Sequence, residues 1–280
     1  MNKHAIKAAK KLIKLALKDD VGDGDITTNN IIPAEIKRKA KMVAKADGVV
    51  AGLEIAEMVF KQLDPDLIWK PLVEDGAKIK KGDVLVEFHG SYRALLTGER
   101  TALNFLQRLS GIATTSSKYA DAVKDFKTVI LDTRKTLPGF NRLDKYAVKT
   151  GGASNHRHGL HDMAMIKDNH IEVAGGITAA VKAVRSKVDH GIKIEVETTT
   201  IAQVQEAIDA GADIIMLDNM DTETMRKSVQ LIAGRAKIEA SGNMTLERLH
   251  EVAETGVDFI SIGALTHSVI ALDISQRLED

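Results

Sequence analysis

A repeat of one short β-rich run followed by one amphipathic helix constrains the fold of this chain more than any other feature. In the C-terminal part such runs begin at residues 192, 214, 236 and 259, in steps of 22, 22 and 23 residues. That is about the least chain that holds a strand, a helix and two short loops. Segments 201–210, 221–233 and 245–255 carry apolar residues at helical spacing. Ala210-Gly211-Ala212-Asp213 and Thr255-Gly256-Val257-Asp258 each read as a helix stop leading into a strand. Two earlier runs, 128–131 and 163–166, have the same character. Repeating βα units of this size predict a parallel sheet.

Two observations favour closing that sheet into a barrel. Nearly every run ends in polar residues: Asp132-Thr133-Arg134-Lys135, Lys167-Asp168-Asn169-His170, Glu197-Thr198, Asp218-Asn219 and Ser241-Gly242-Asn243, with Gly263-Ala264 last. A barrel gathers all its strand ends around one mouth, whereas an open sheet offers one switch point. The runs also alternate: Ile192, Ile194 and Val196 share one face, and Lys193, Glu195 and Glu197 the other. Lys237, Glu239 and Ser241 repeat the pattern. Charges inside a barrel must pair. Lys193, Glu195, Lys237 and Glu239 are therefore expected to form a structural ion-pair network, and Glu197, nearest the mouth, to be functional. The expected fold is α/β, a TIM-like β/α barrel of seven strands, open or incomplete, over residues 113–264.

Residues 1–112 are expected to form an N-terminal α/β sandwich domain, joined by residues 265–280. Strand-like runs at 41–46, 67–70 and 84–89 surround a helix at about 53–63, with Asp75-Gly76 and Lys81-Gly82-Asp83 as turns. A helix over 92–109 is expected to break at Ser110-Gly111, with a second from 113 to about 125. On helical spacing alone, Arg100 is an ordinary solvated charge. Residues 3–18 place Ile6, Ala9, Leu12, Ile13, Ala16 and Leu17 opposite Lys7, Lys10, Lys11, Lys14 and Lys18. This basic amphipathic helix is read as a surface helix packed on its own domain, not a membrane or targeting segment.

Lys plus Arg and Asp plus Glu both number 39, so the net charge is zero and no long-range basic field for nucleic acid or a membrane surface exists. The chain has no cysteine, which excludes disulfides, iron–sulfur clusters and thiolate zinc sites. With no apolar run near the roughly 20 residues of a membrane span, the expected location is cytoplasmic.

In this neutral chain the cations between 132 and 170 are concentrated. Arg134, Lys135, Arg142, Lys145, Lys149, Arg157 and Lys167 lie there with His156, His158, His161 and His170, against Asp132, Asp144, Asp162 and Asp168. Guanidinium forks and lysine ammonium groups at strand ends suit carboxylate and phosphate oxygens, which implies a small polyanionic substrate. The histidines lack a recognised zinc spacing. Glu197 and Asp218, ending successive strands, are better placed for Mg²⁺ brought in by a phosphate substrate or for sugar hydroxyls. The glycine loops Ser241-Gly242-Asn243 and Ile262-Gly263-Ala264 are candidates to hold a phosphate through backbone N–H groups.

The block Asp132-Thr133-Arg134-Lys135-Thr136-Leu137-Pro138-Gly139, then Lys145-Tyr146-Ala147-Val148, Gly151-Gly152, Asn155-His156-Arg157 and Ile166-Lys167-Asp168-Asn169-His170 resembles the quinolinate phosphoribosyltransferases. The similarity continues through Glu195-Val196-Glu197, Met216-Leu217-Asp218-Asn219, Glu239-Ala240-Ser241-Gly242-Asn243 and Gly263-Ala264-Leu265-Thr266. Upstream it takes in Gly24-Asp25-Ile26-Thr27 and Glu99-Arg100-Thr101-Ala102-Leu103-Asn104. Ala153 departs from the pattern, where the family often has a third glycine.

This resemblance implies phosphoribosyl transfer from PRPP to quinolinate with decarboxylation, giving nicotinate mononucleotide, pyrophosphate and CO₂ in de novo NAD biosynthesis, with Mg²⁺ accompanying PRPP. It implies a homodimer or larger assembly whose active site is shared, with Arg100 completing the neighbour's quinolinate site. It also implies that Thr133, Arg134, Lys135, His156, Arg157 and Lys167 bind anions and that Glu197 and Asp218 face the ribose and Mg²⁺. Ser241, Gly242, Asn243, Ile262, Gly263 and Ala264 would contact phosphate. Lys135, Lys167, Glu197 and Asp218 are the expected catalytic residues, with either lysine a candidate proton donor after CO₂ leaves. Alternatives from the residues alone are a paralogue acting on another acid, a Schiff-base aldolase using Lys167, and a non-catalytic PRPP-binding barrel.

Overall fold

The computed structural model describes residues 1–279. In chain order the first elements are α1 (Lys3–Val21), α2 (Ile26–Ile31), β1 (Lys37–Ala44), β2 (Gly48–Val49), α3 (Leu53–Leu63) and β3 (Ile68–Pro71). Then come β4 (Lys78–Ile79), β5 (Val84–Ser91), α4 (Tyr92–Ala122), β6 (Val129–Leu131), α5 (Asn141–Thr150), β7 (Ala164–Ile166), α6 (Asp168–Ala174) and α7 (Ile177–Arg185). The remainder comprises β8 (Ile194–Thr198), α8 (Ile201–Asp209), β9 (Ile214–Asp218), α9 (Thr222–Ile232), β10 (Lys237–Ser241), α10 (Leu249–Glu254), β11 (Phe259–Ser261), α11 (Ala264–His267) and β12 (Ile274–Glu279).

The chain divides into two units. One contains residues 1–117, 136–152 and 265 onward; the other contains 118–135 and 153–264. The first unit is built on an antiparallel sheet of order β12-β1-β5-β3. The C-terminal strand pairs with β1 from Lys39↔Glu279 to Ala44↔Ile274. Its core includes Phe60, Phe88 and Trp69, whose rings lie 5.0–6.1 Å apart. Helix α1 buries Ala5, Ala9, Ile13 and Leu17 and leaves its lysines in water, as its amphipathic pattern predicts.

α4 runs unbroken from Tyr92 to Ala122, which corrects the expected break at Ser110-Gly111. Neither residue is there to stop the helix. Ser110 Oγ accepts from Ala51 N–H at 3.0 Å inside the unit. Gly111 admits the 265–279 segment: a Cβ on it would sit 2.1 Å from the Ile270 carbonyl oxygen. α5, for which the sequence pattern predicts no element, packs in the same unit against α1. Its Asp144 is fully buried and ion-paired with Arg108 at 2.8 Å.

The second unit is a parallel six-strand sheet, order β6-β11-β10-β9-β8-β7, with helices between successive strands from β7 onward: the TIM-like barrel that the period predicts. Ser154 adds a one-residue parallel bridge to Leu131, outside β6, where a seventh strand would lie. No ladder links that segment to β7 among the described residues, so the barrel is open there. Ile194, Val196, Ile215, Leu217, Ile238 and Ala240 are buried at 4% exposure or less. Their alternation with Glu195, Glu197 and Glu239 aims the glutamates to the other face of the sheet.

The charges on that face do not form the single network expected. Lys193 and Lys237 are exposed and pair with Asp213 at 3.5 Å and Asp258 at 2.6 Å, where the strands begin. Glu195 and Glu239 are buried and turn to a different partner. Lysine stems are long enough to carry their ammonium groups to water, whereas a glutamate two residues further along the strand is not.

Candidate active site

The C-terminal ends of β6 to β11 bring together, within the second unit, every predicted site residue except Arg100. Arg100 lies exposed on α4 in the first unit.

At the end of β6, Asp132 is fully buried and holds the 155–157 turn in shape. Its Oδ1 accepts from His156 N–H at 2.8 Å and its Oδ2 from Asn155 Nδ2 at 2.8 Å. A carboxylate fixed by two donors sets where the His156-Arg157 pair sits. Thr133 Oγ1 accepts from Lys135 N–H at 3.1 Å, and the Arg134 and Lys135 side chains beyond are exposed. Arg157 donates to the Met163 carbonyl at 3.0 Å. Burial and the nearby Arg134 charge lower its affinity for its proton, so a bound anion would relieve both penalties.

His156 is the centre of the buried chemistry. Its Nε2 lies 3.2 Å from Glu195 Oε2 and 3.3 Å from Glu239 Oε2, with all three side chains at 6% exposure or less. Burial alone would depress the imidazole, but the two carboxylates outweigh it and push the ring up to about 10. Arg157 N–H approaches His156 Nδ1 at 2.7 Å, an acceptor role open only to the neutral ring. The carboxylates dominate, because a neighbouring-residue contact relaxes with a small ring rotation and two buried charges do not. Burial raises the Glu195 carboxyl, an effect the imidazole opposes. Neither Glu195 oxygen, nor Oε1 of Glu239, has a hydrogen bond of good geometry. The ligand atoms of this trio lie within 4.8 Å of one another, so it is the place among the described residues where a metal could be held by histidine and carboxylate.

At the mouth, Lys167 Nζ pairs with Glu197, whose side chain is 17% exposed. Lys167 sits at the N-terminus of α6, where its backbone N–H donates to His170 Nδ1 at 3.0 Å. Asp218 ends β9 opposite Ser241 of β10 in the ladder. Its Oδ2 accepts from Asn219 Nδ2 at 2.8 Å. The loop after β10 turns through Gly242 and Asn243, both with positive φ, at 88° and 48°. Ile262 N–H donates to the Leu131 carbonyl at 2.9 Å, tying the last loop back to β6.

Asp132, Asn155, Glu195, Glu239 and Asn219 were not among the predicted site residues. All five lie inside the motifs that carry the family resemblance, and the strand pattern predicts lysine partners for the two glutamates. Only the even spacing of Glu195 and Glu239 with the mouth residues pointed inward.

Fold and site together define a β/α-barrel protein with a cationic rim and a carboxylate pair at the strand ends. The chain belongs to the quinolinate phosphoribosyl transferase family: the model of that family's N-terminal domain matches residues 25–110 and that of its C-terminal domain residues 112–277. It is 47% identical to a probable nicotinate-nucleotide pyrophosphorylase [carboxylating] of Bacillus subtilis, over 95% of this chain and 92% of the relative. It is 45% identical to quinolinate phosphoribosyltransferase [decarboxylating] 2b, mitochondrial, of Nicotiana tabacum, over 96% of this chain and 82% of the relative. The solved nicotinate-nucleotide pyrophosphorylase of Francisella tularensis superposes with a TM-score of 0.94 at 39% identity, covering 98% of this chain and 96% of that one.

Proposed function

We propose that the chain transfers the phosphoribosyl group of PRPP to the ring nitrogen of quinolinate, with loss of pyrophosphate and CO₂, giving nicotinate mononucleotide in NAD biosynthesis. The observation that carries this is the presence, in one unit whose strand ends carry Glu197 and Asp218, of exposed Arg134 and Lys135, half-buried Arg157 and Lys167, and buried His156 held by Glu195 and Glu239. Two polyanions must be brought together, and a dense set of fixed cations lowers the cost of doing so.

Arg134, Lys135, Arg157 and Lys167 hold the two carboxylates of quinolinate, with Thr133 ordering the Lys135 backbone. His156, expected to bind the anion directly, has both ring nitrogens engaged by protein groups and acts from behind through Arg157. Glu197 and Asp218 face the ribose and stabilise the positive charge that develops at C1′ as pyrophosphate leaves. Ser241, Gly242 and Asn243, with Gly263 and Ala264, face the phosphate, while Ile262, whose N–H is committed to the Leu131 carbonyl, anchors the last loop and does not donate to the ligand. Mg²⁺ fits Glu197 and Asp218 in kind, since both are hard carboxylate donors at adjacent strand ends. Among the described residues, each is engaged through one of its oxygens, Glu197 by Lys167 and Asp218 by Asn219. When bound with PRPP, the ion would neutralise the departing pyrophosphate. Once the ring nitrogen is quaternary, loss of the adjacent carboxylate leaves an electron pair at carbon. Lys135 or Lys167 then delivers the proton.

A homodimer or larger assembly with Arg100 completing a neighbour's quinolinate site belongs to the same reading. It is supported by the exposure of Arg100 on a helix of the first unit. No helix among the described residues is long and apolar enough to cross a membrane, and we place the reaction in the cytoplasm.

The test is turnover of the purified protein with PRPP and Mg²⁺ on quinolinate against nicotinate. Turnover of quinolinate alone supports the reading; turnover of nicotinate alone overturns it. Mixing Arg100→Ala with Lys167→Ala protein tests the shared site, because hybrid assemblies carry one site with both residues intact. Demonstrated subunit exchange with no return of activity rejects sharing.

A further inference from the structure

Asn219 follows Asp218 directly, and the resemblance assigns it no role. Its backbone is left-handed at φ 53°, a conformation that L-residues rarely adopt and that asparagine and glycine tolerate best. Three of its groups are engaged. The backbone N–H donates to the Ser241 carbonyl at 3.0 Å. The side-chain Nδ2 donates to Asp218 Oδ2 at 2.8 Å. The side-chain Oδ1 accepts from Asn243 Nδ2 at 3.1 Å. An ionised carboxylate only accepts, so Nδ2 must face Asp218, and this fixes the orientation of the amide. Asn243 is itself left-handed at φ 48°.

Between them, Gly242 closes down on the same amide. A Cβ there would lie 2.2 Å from Asn219 Oδ1 and 2.5 Å from its Cγ. Two adjacent βα loops are thus drawn together around one side chain, and residue 242 has no room for anything but glycine.

We propose that Asn219 is a positioning residue for PRPP: its amide ties the Asp218 carboxylate to the 241–243 loop, so the group facing the ribose and the loop facing the phosphate act as one preset cradle. This rests on the function proposed above for Asp218 and that loop. A merely conformational role for Asn219 would need only its backbone, which glycine supplies better. A positioning role needs the amide. Quinolinate, held by cations from β6, β7 and the 155–157 turn, should not sense the change.

Asn219→Gly separates the two roles, because it keeps the left-handed backbone and the bond to Ser241 while deleting both amide contacts. PRPP affinity, by calorimetric titration, and the KM for PRPP should weaken about tenfold or more, as expected for loss of a hydrogen bond to a charged group. Quinolinate affinity and melting temperature should hold. Asn219→Asp should weaken PRPP at least as much, since it removes the donor and sets a second negative charge beside Asp218. Unchanged PRPP binding in Asn219→Gly, or equal weakening of both substrates, overturns the proposal. Asp218→Asn is the control. If it too leaves PRPP binding unchanged, the assignment of Asp218 fails and the relay with it. If it weakens PRPP while Asn219→Gly does not, the relay alone is wrong.

Discussion

Lys167 and Glu197, from the ends of the neighbouring strands β7 and β8, form an ion pair across the barrel mouth. In the proposed reaction they serve different substrates, Lys167 the quinolinate carboxylate and Glu197 the ribose. The pair therefore has to open when both ligands bind, and each ligand that claims one partner frees the other.

Lys167→Ala should raise the KM for quinolinate by roughly 10- to 100-fold, the range for losing one charge-assisted contact. Glu197→Gln leaves Lys167 without its competitor, so quinolinate should bind at least as tightly while turnover falls. Steady-state kinetics with each substrate varied checks both. A loss of quinolinate affinity in Glu197→Gln would show that the pair does not compete with the substrate.

The buried trio gives a pH prediction. The folded-state pKa of His156 is raised from 6.5 to about 10. The folded protein therefore holds that proton more tightly than the unfolded chain. The stability it contributes is complete below about pH 6.5 and is lost as pH rises toward 10. Melting temperature should fall over that window, and more steeply than in Glu239→Gln, where one of the two carboxylates raising the ring is gone. His156→Ala should cost about 3–5 kcal/mol by denaturant unfolding, since it leaves two buried carboxylates without their cation. Parallel slopes in wild type and Glu239→Gln would contradict the assignment.

Asp132→Asn should retain the fold but misplace His156. The asparagine must present its amide nitrogen to one of two donors, His156 N–H or Asn155 Nδ2, which now only one oxygen can satisfy. A tenfold or greater loss of kcat/KM is expected, with a destabilisation of about 1–3 kcal/mol from the buried donor left unpaired. Full activity would mean that the turn is held by other contacts.

Gly111→Ala places a methyl group 2.1 Å from the Ile270 carbonyl in the first unit. Backbone has to move, and destabilisation of about 2 kcal/mol or more follows. Urea unfolding gives the number; a stable Gly111→Ala protein would show that the 265–279 segment shifts freely.

The barrel was legible because its signal is periodic: six β-rich runs and the helices after 198, 219 and 244 came from spacing and stop residues alone. The breaks in legibility have physical causes. Ser110 and Gly111 look like a helix terminator, yet they serve packing in a continuous helix, and only the position of residue 270 reveals it. Helix α5 is amphipathic, burying Leu143, Ala147 and Val148, but it is ten residues long, lies inside the charge-dense 132–170 segment and buries Asp144 and Lys145 as well, so its apolar face is masked by charge. At the site, charge concentration found the cations. It missed Asp132, Glu239 and Asn219, whose significance is which atom each holds and not how much charge each adds.

The most direct test of the central claim is the stoichiometry of the reaction. Purified protein is given PRPP, Mg²⁺ and quinolinate labelled in the carboxyl group next to the ring nitrogen, and pyrophosphate and labelled CO₂ are counted together. The account predicts equal amounts of both and an unlabelled mononucleotide product. Pyrophosphate without CO₂, or label retained in the product, would contradict it.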